Sequence, residues 1–221
     1  MGQKVNPVGF RVGVTSAWHS RWFAEGKEYP KLLLEDIRLR RILERKFALA
    51  GVQSVDIERL PRAIAVRMHV SRPGIVIGRG GQGIEDAKRY VVQELSLTKD
   101  GPKAPKIEII VEEVKNPDLS AKLVGQRIVS ELERRLPGRR VVNKVMERVM
   151  ASGANGVKVT LSGRIGGADI ARHEKYQKGS MPTQSLRADI DFAHTPALLK
   201  RGYVGVKVWI HRGKEIIRYA A

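Results

Sequence analysis

Apolar residues recur along this chain with two periods, and the changeovers between them mark out its elements. From Pro30 to Gly51 the period is helical: Leu32, Leu33, Ile37, Leu39, Leu43 and Phe47 share one broad face, while Lys31, Arg38, Arg41 and Arg45 fall opposite. Pro30 suits a first helical turn and Gly51 a stop. The period then drops to two. Val52–Leu60 and Ala63–Val70 alternate on either side of Pro61-Arg62, which predicts a hairpin of half-buried strands. Beyond a glycine cluster, Ile84, Ala87, Val91 and Leu95 return to helical spacing. Thr98–Pro105 reads as a loop and Lys106–Val114 as a strand. Helix, hairpin, helical unit and strand in that order make an α+β domain. Residues 1–28 follow neither period and mix Gly, Pro, Trp and basic residues, the pattern of a basic arm that orders on a partner.

Asn116-Pro117-Asp118 is a boundary and a helix start. The helix it opens runs through Leu136, with Ala121, Val124, Ile128 and Leu132 on one side, until Pro137-Gly138 breaks it. A second helix spans Arg139 to Ser152. It turns Val141, Val142, Val145 and Val149 inward and carries Arg140, Lys144 and Arg148 as a basic stripe. Three strands follow, Gly156–Ser162, Ser185–Ala193 and Val204–His211. In the last, Lys207, Trp209 and His211 point away from the apolar positions. The expected organisation is an arm over 1–28, an α+β domain over 29–115, a second over 116–212 with helices on a mainly antiparallel sheet, and a tail over 213–221.

Charge changes the picture. Lys and Arg number 41 against 23 Asp and Glu, a formal charge of +18, and hydrophobic residues make up 42% of the chain, enough for real cores. A basic excess spread over the whole length points to a polyanionic partner, nucleic acid rather than a membrane surface. No apolar run approaches the roughly 18 residues of a membrane span, and the start, Met1-Gly2-Gln3-Lys4-Val5-Asn6, has no apolar signal region. With no Cys, thiol chemistry and zinc-finger sites are excluded, and the five His (19, 69, 173, 194 and 211) lack metal-ligand spacing. No metal, cofactor or small-molecule substrate is expected, and the location expected is cytoplasmic. Asp189 and Asp191, two apart on one strand face with Arg187, fit an ion-pair network better than paired catalytic carboxylates.

Gly78-Arg79-Gly80-Gly81-Gln82-Gly83 matches the dinucleotide fingerprint in spacing, but Ser71-Arg72-Pro73-Gly74 separates it from an alternating strand, and Asp100 falls in a loop. A phosphate-binding P-loop fails because Ile84 stands where Lys is required. A better match is Ile77-Gly78-Arg79-Gly80-Gly81 with Ile84, which resembles the Ile-Gly-x-x-Gly core of the KH RNA-binding domain. Glycines let a nucleic-acid backbone come close, and a basic residue among them meets phosphate. The preceding helix and hairpin match the type II KH order. A tight turn between two helices would use the same glycines.

The likeness extends further. Met1-Gly2-Gln3-Lys4-Val5-Asn6-Pro7, with Gly9, Arg11, Gly13, Trp18, Ser20 and Trp22-Phe23-Ala24, resembles the amino-terminal arm of the bacterial family of small-ribosomal-subunit protein three. Arg72-Pro73-Gly74-Ile75-Val76-Ile77-Gly78 is similar to that family's glycine loop. Ser162-Gly163-Arg164-Ile165-Gly166-Gly167-Ala168-Asp169-Ile170-Ala171-Arg172, Leu186-Arg187-Ala188-Asp189-Ile190-Asp191 and Gly205-Val206-Lys207-Val208-Trp209-Ile210 resemble its carboxy-terminal domain. The resemblance implies a non-enzymatic constituent of the small-subunit head that binds small-subunit ribosomal RNA and lines the channel through which messenger RNA enters, helping to unwind structured messages. Implied neighbours are ribosomal proteins ten, fourteen and two. Implied site residues are Gly78, Arg79, Gly80 and Gly81 in the KH loop, and Arg134, Arg135, Arg139, Arg140 and Lys144 in the channel. Gln3, Lys4, Arg11, Arg164, Arg172, Lys175 and Lys178 are the implied ribosomal RNA contacts. This chain departs from the family at Pro137-Gly138, where two bulky apolar residues are usual, and in a longer Leu97–Pro105 loop. A free-standing KH regulator of RNA is the alternative, although it would need neither arm nor second domain. Trp18 and Trp22 fit packing of the arm, and Trp209 fits either a protein contact or a base.

Overall fold

The computed structural model of the chain describes residues 4–60, 63–94 and 106–213. In chain order these form α1 (Pro7–Phe10), β1 (Ser20–Arg21), α2 (Glu28–Lys46), β2 (Val52–Leu60), β3 (Ala63–Val70), α3 (Pro73–Ile77), α4 (Gln82–Glu94), β4 (Lys106–Glu113), α5 (Ala121–Glu133), α6 (Gly138–Ala151), β5 (Gly156–Gly163), β6 (Arg172–Gly179), β7 (Ile190–Leu199) and β8 (Gly202–His211). They fall into two units, one over Trp18–Lys115, the other joining the amino-terminal residues through Ala17 to the chain from Asn116 onward. Pro61-Arg62, Leu95, the Leu97–Pro105 loop, Gln3 and the tail after Gly213 lie outside the described residues.

In the first unit the sheet order is β1-β2-β3-β4, with β2–β3 antiparallel and both β1–β2 and β3–β4 parallel. Helix α2 starts at Glu28, two residues before Pro30, because a residue in the first turn has no intrahelical hydrogen bond to lose. Its end tightens into a 3-10 turn over Ala48–Ala50, and Gly51 stops it with φ 68°. A bulge between Val52 and Ser54 lets both Val52 and Val55 face inward despite their spacing of three. These valines join Leu39, Leu43, Ile57, Val66, Met68, Val76, Ala87 and Val91 in one core.

The second unit has sheet order β6-β5-β8-β7, antiparallel throughout. Helices α5 and α6 cover one face of it, packing Val124, Ile128, Val142 and Val145 on Val157, Val159, Leu161, Val206 and Val208. Two sequence expectations change here. Strand β6 is new: Arg172-His173-Glu174-Lys175-Tyr176-Gln177-Lys178-Gly179 carries almost no apolar signal because it is an exposed edge strand. The strand expected over Ser185–Ala193 lies instead over Ile190–Leu199. It includes Pro196, which an edge strand tolerates because the missing N–H can face away from the ladder.

The described residues of the expected arm, from Lys4 onward, divide between the two units, and both parts pack within this chain. Asn6 caps α1 by accepting from the Val8 and Gly9 amides at 2.9 and 3.3 Å. Arg11 then enters the second unit fully buried, and its guanidinium donates to the carbonyls of Ala188 (2.7 Å), Pro7 (3.0 Å), Thr183 (3.1 Å) and Ser185 (2.6 Å). Burial pushes its pKa down and Asp189 partly offsets this; a guanidinium remains cationic in proteins. The reading of Arg11 as a ribosomal RNA contact is therefore corrected: the side chain is fully buried, and each of its three nitrogens donates inside the protein. In the first unit, Ser20–Arg21 joins the sheet edge as β1, flanked by His19 and Trp22. There Trp22 donates to the buried Asp36 at 2.7 Å, and Arg40 binds the His19 carbonyl at 3.0 Å.

Candidate nucleic-acid interface

The glycine loop is built by the junction of α3 and α4. Gly78 ends α3 with φ 69°, and a 3-10 turn over Arg79–Gly81 leads into α4. The glycines divide by function. A Cβ at Gly83 would stand 2.4 Å from the Val76 carbonyl oxygen, and one at Gly78 would stand 3.0 Å from the Gly83 nitrogen. Those two glycines let the helices meet. Gly80 (φ 63°) and Gly81 (φ 80°) face open space instead, with nothing within 4 Å of a built Cβ. Arg79 is exposed beside them. The loop thus offers bare backbone and one cation outward, an arrangement suited to a phosphate backbone passing close by.

Gly80→Asp tests this. The new carboxylate would sit where phosphate approaches, and the left-handed backbone conformation costs about 1 kcal/mol for a residue with a Cβ. Photocrosslinking of the loop to RNA should fall several-fold while the unit stays folded. Equal crosslinking by both proteins would remove the loop from the interface.

The second basic cluster surrounds the α5–α6 turn. Helix α5 stops at Glu133, three residues short of the expected Leu136. Its end is a Schellman motif: the Leu136 amide donates to the Glu131 carbonyl and the Arg135 amide to the Leu132 carbonyl. Arg135 occupies the left-handed position with φ 63°, the one non-glycine residue with positive φ among the described residues. Gly138 then starts α6 buried, where a Cβ would press to 3.3 Å from Leu161. Pro137-Gly138 therefore lies past the end of α5 and seats α6 directly on β5. Arg134, Arg135, Arg139, Arg140 and Lys144 are brought together around this turn, all exposed and none in an ion pair among the described residues.

The remaining predicted contacts are scattered over the second unit. Arg164 is exposed before the 3-10 turn of Ile165–Gly167, and Arg172 pairs with Glu174 at 2.9 Å. Lys175 and Lys178 stand on β6 and point to opposite faces of the sheet. Lys4 lies close enough to Lys158 to help lower its pKa. Partial burial is the larger cause, and Lys175 adds to it. Lys158 and Lys207 had not been singled out as contacts, although their alternation with buried valines was the available signal. Asp189 and Asp191 do form an ion-pair network, with Arg212 as the cation rather than Arg187. Trp209 packs on Phe192, ring centroids 5.0 Å apart. Among the described residues no three or more His, Asp or Glu are grouped to hold a metal, and no helix is long and apolar enough to cross a membrane.

A type II KH unit with an open glycine loop, joined to a second α+β unit rich in exposed cations, defines an RNA-binding protein. Family models agree on both halves: residues 38–119 match the KH domain, and residues 128–210 match the carboxy-terminal domain of ribosomal protein S3. Over 216 residues the chain is 45% identical to small ribosomal subunit protein uS3 of Persephonella marina, covering 98% of this chain and 92% of that protein. Its counterpart in Bacillus thuringiensis is 47% identical over 216 residues, 98% and 94% of the two chains. The chain belongs to the bacterial uS3 family of small-subunit ribosomal proteins, a structural and non-enzymatic family.

Proposed function

We propose that the protein holds small-subunit ribosomal RNA in the head of the subunit and uses the α5–α6 turn to line the channel through which messenger RNA enters. The observation that carries this is the turn itself. Five exposed cations gather there without carboxylate partners, and one of them, Arg135, occupies a left-handed position that glycine fills without strain. An unpaired cluster of this kind repels itself unless an anion lies against it. Side chains that hold phosphates of a single strand favour the open strand over a duplex at the entrance, with no nucleotide hydrolysis and no catalytic group. Ribosomal proteins ten, fourteen and two are the proposed neighbours, and the cytoplasmic ribosome is the proposed location.

Changing Arg134, Arg135 and Lys144 together to Ala should leave subunit assembly intact, because all three side chains are exposed. Translation of unstructured messages should stay near normal. Messages with a stable hairpin ahead of the ribosome should slow several-fold. Equal slowing of both kinds of message would overturn the channel role.

A further inference from the structure

We propose that the face of the β6-β5-β8-β7 sheet turned away from α5 and α6 is an RNA-backbone platform on which Lys158, Lys175 and Lys207 hold phosphates. The inference rests on the RNA-binding reading above and is independent of the channel.

The argument comes from the register. In an antiparallel pair, residues directly opposite each other share one face. Thr160 on β5 stands between Lys175 on β6 and Lys207 on β8, so two exposed lysines flank it in one row across three strands. Neighbouring strands lie about 4.8 Å apart, which sets these two lysines roughly 10 Å from each other. In the next row Lys158 faces Trp209, and its ammonium sits 4.8 Å from the ring centroid, held there by the cation–π contact. Lys4 of the amino-terminal segment adds a fourth cation near Lys158. The only carboxylates in the four strands, Glu174 and Asp191, stand opposite Leu161 and Ile210, on the helix-covered face. The other face therefore carries cations with no acidic residue on any strand to neutralise them.

Such a face suits a polyanion. Protein interfaces are depleted in Lys, whereas lysine is a regular point-charge ligand of phosphate. That composition favours an RNA strand over an acidic protein segment as the occupant.

The test is a salt titration of the full chain binding deproteinised small-subunit ribosomal RNA, so that no protein neighbour is present. Each phosphate contact contributes roughly 0.7–0.9 to the slope of log affinity against log salt. Lys175→Gln with Lys207→Gln should lower the slope by roughly 1.4–1.8, and adding Lys158→Gln should lower it further. The double variant changes only exposed side chains, so its fold is not in question. Lys175→Arg with Lys207→Arg should retain the wild-type slope. An unchanged slope in the Gln variants overturns the proposal, and so does loss of a protein neighbour from reconstituted subunits with RNA binding intact. Hairpin-message translation reads the α5–α6 turn separately, so either idea can fail without the other.

Discussion

Replacing Asp36 by Ala should destabilise the Trp18–Lys115 unit by about 3–5 kcal/mol, the usual cost of removing one partner from a buried ion pair. Asp36 is fully buried in α2 and accepts from Arg59 Nε at 2.8 Å, from Trp22 Nε1 at 2.7 Å and from Ser20 Oγ at 3.2 Å. Its loss strands the Arg59 guanidinium, whose side chain is only 10% exposed, with Glu35 as the remaining carboxylate at 2.9 Å. It also frees Trp22, so β1 should leave the sheet edge before the unit unfolds. Urea unfolding followed by tryptophan fluorescence, with hydrogen exchange at the Ile57 amide that donates to the His19 carbonyl, reads both events. Asp36→Asn keeps an acceptor and should cost less. A loss below about 1 kcal/mol for the Ala variant would mean that water replaces the carboxylate and that this cluster does not hold the segment.

Arg11→Ala should destabilise the other unit by about 3 kcal/mol, since several carbonyls lose a charged donor and a cavity opens in their place. For a unit of this size that corresponds to a fall of roughly 10 °C in its unfolding temperature. Arg11→Lys should recover little, because one ammonium cannot span acceptors from Pro7 to Ala188 as a planar fork does. The variant also tests whether Arg11 serves the fold rather than RNA. With Arg11 inside the fold, the salt dependence of RNA binding should not change wherever the variant is folded. A shallower slope would return Arg11 to the RNA interface.

Most elements were legible because they obey local rules. The hairpin Val52–Leu60 and Ala63–Val70 appears with its predicted bounds, since alternation, interrupted only by the bulge after Val52, is a property of the chain itself. The glycine loop was equally readable, because positive φ and close backbone approach both select glycine. Strand β6 was invisible because an exposed edge strand needs no apolar residues. Asp36 was missed for a related reason: an acid on a helix looks solvated until its partners arrive from β1 and β2.

By itself the sequence determined that the protein is α+β, that it is strongly basic and that one loop exposes bare backbone beside an arginine. It also carried the resemblance that the family comparisons then established. Only the tertiary structure decided which cations are available. Arg11 and Arg135 look alike in the chain, yet one is sealed by carbonyls as far as 177 residues away while the other stands exposed at a helix end. The row of Lys175, Thr160 and Lys207 likewise exists only because antiparallel pairing brings three distant strands into register. Periodicity and backbone preference act over a few residues, whereas burial and charge neutralisation depend on whatever the folded chain sets beside each side chain.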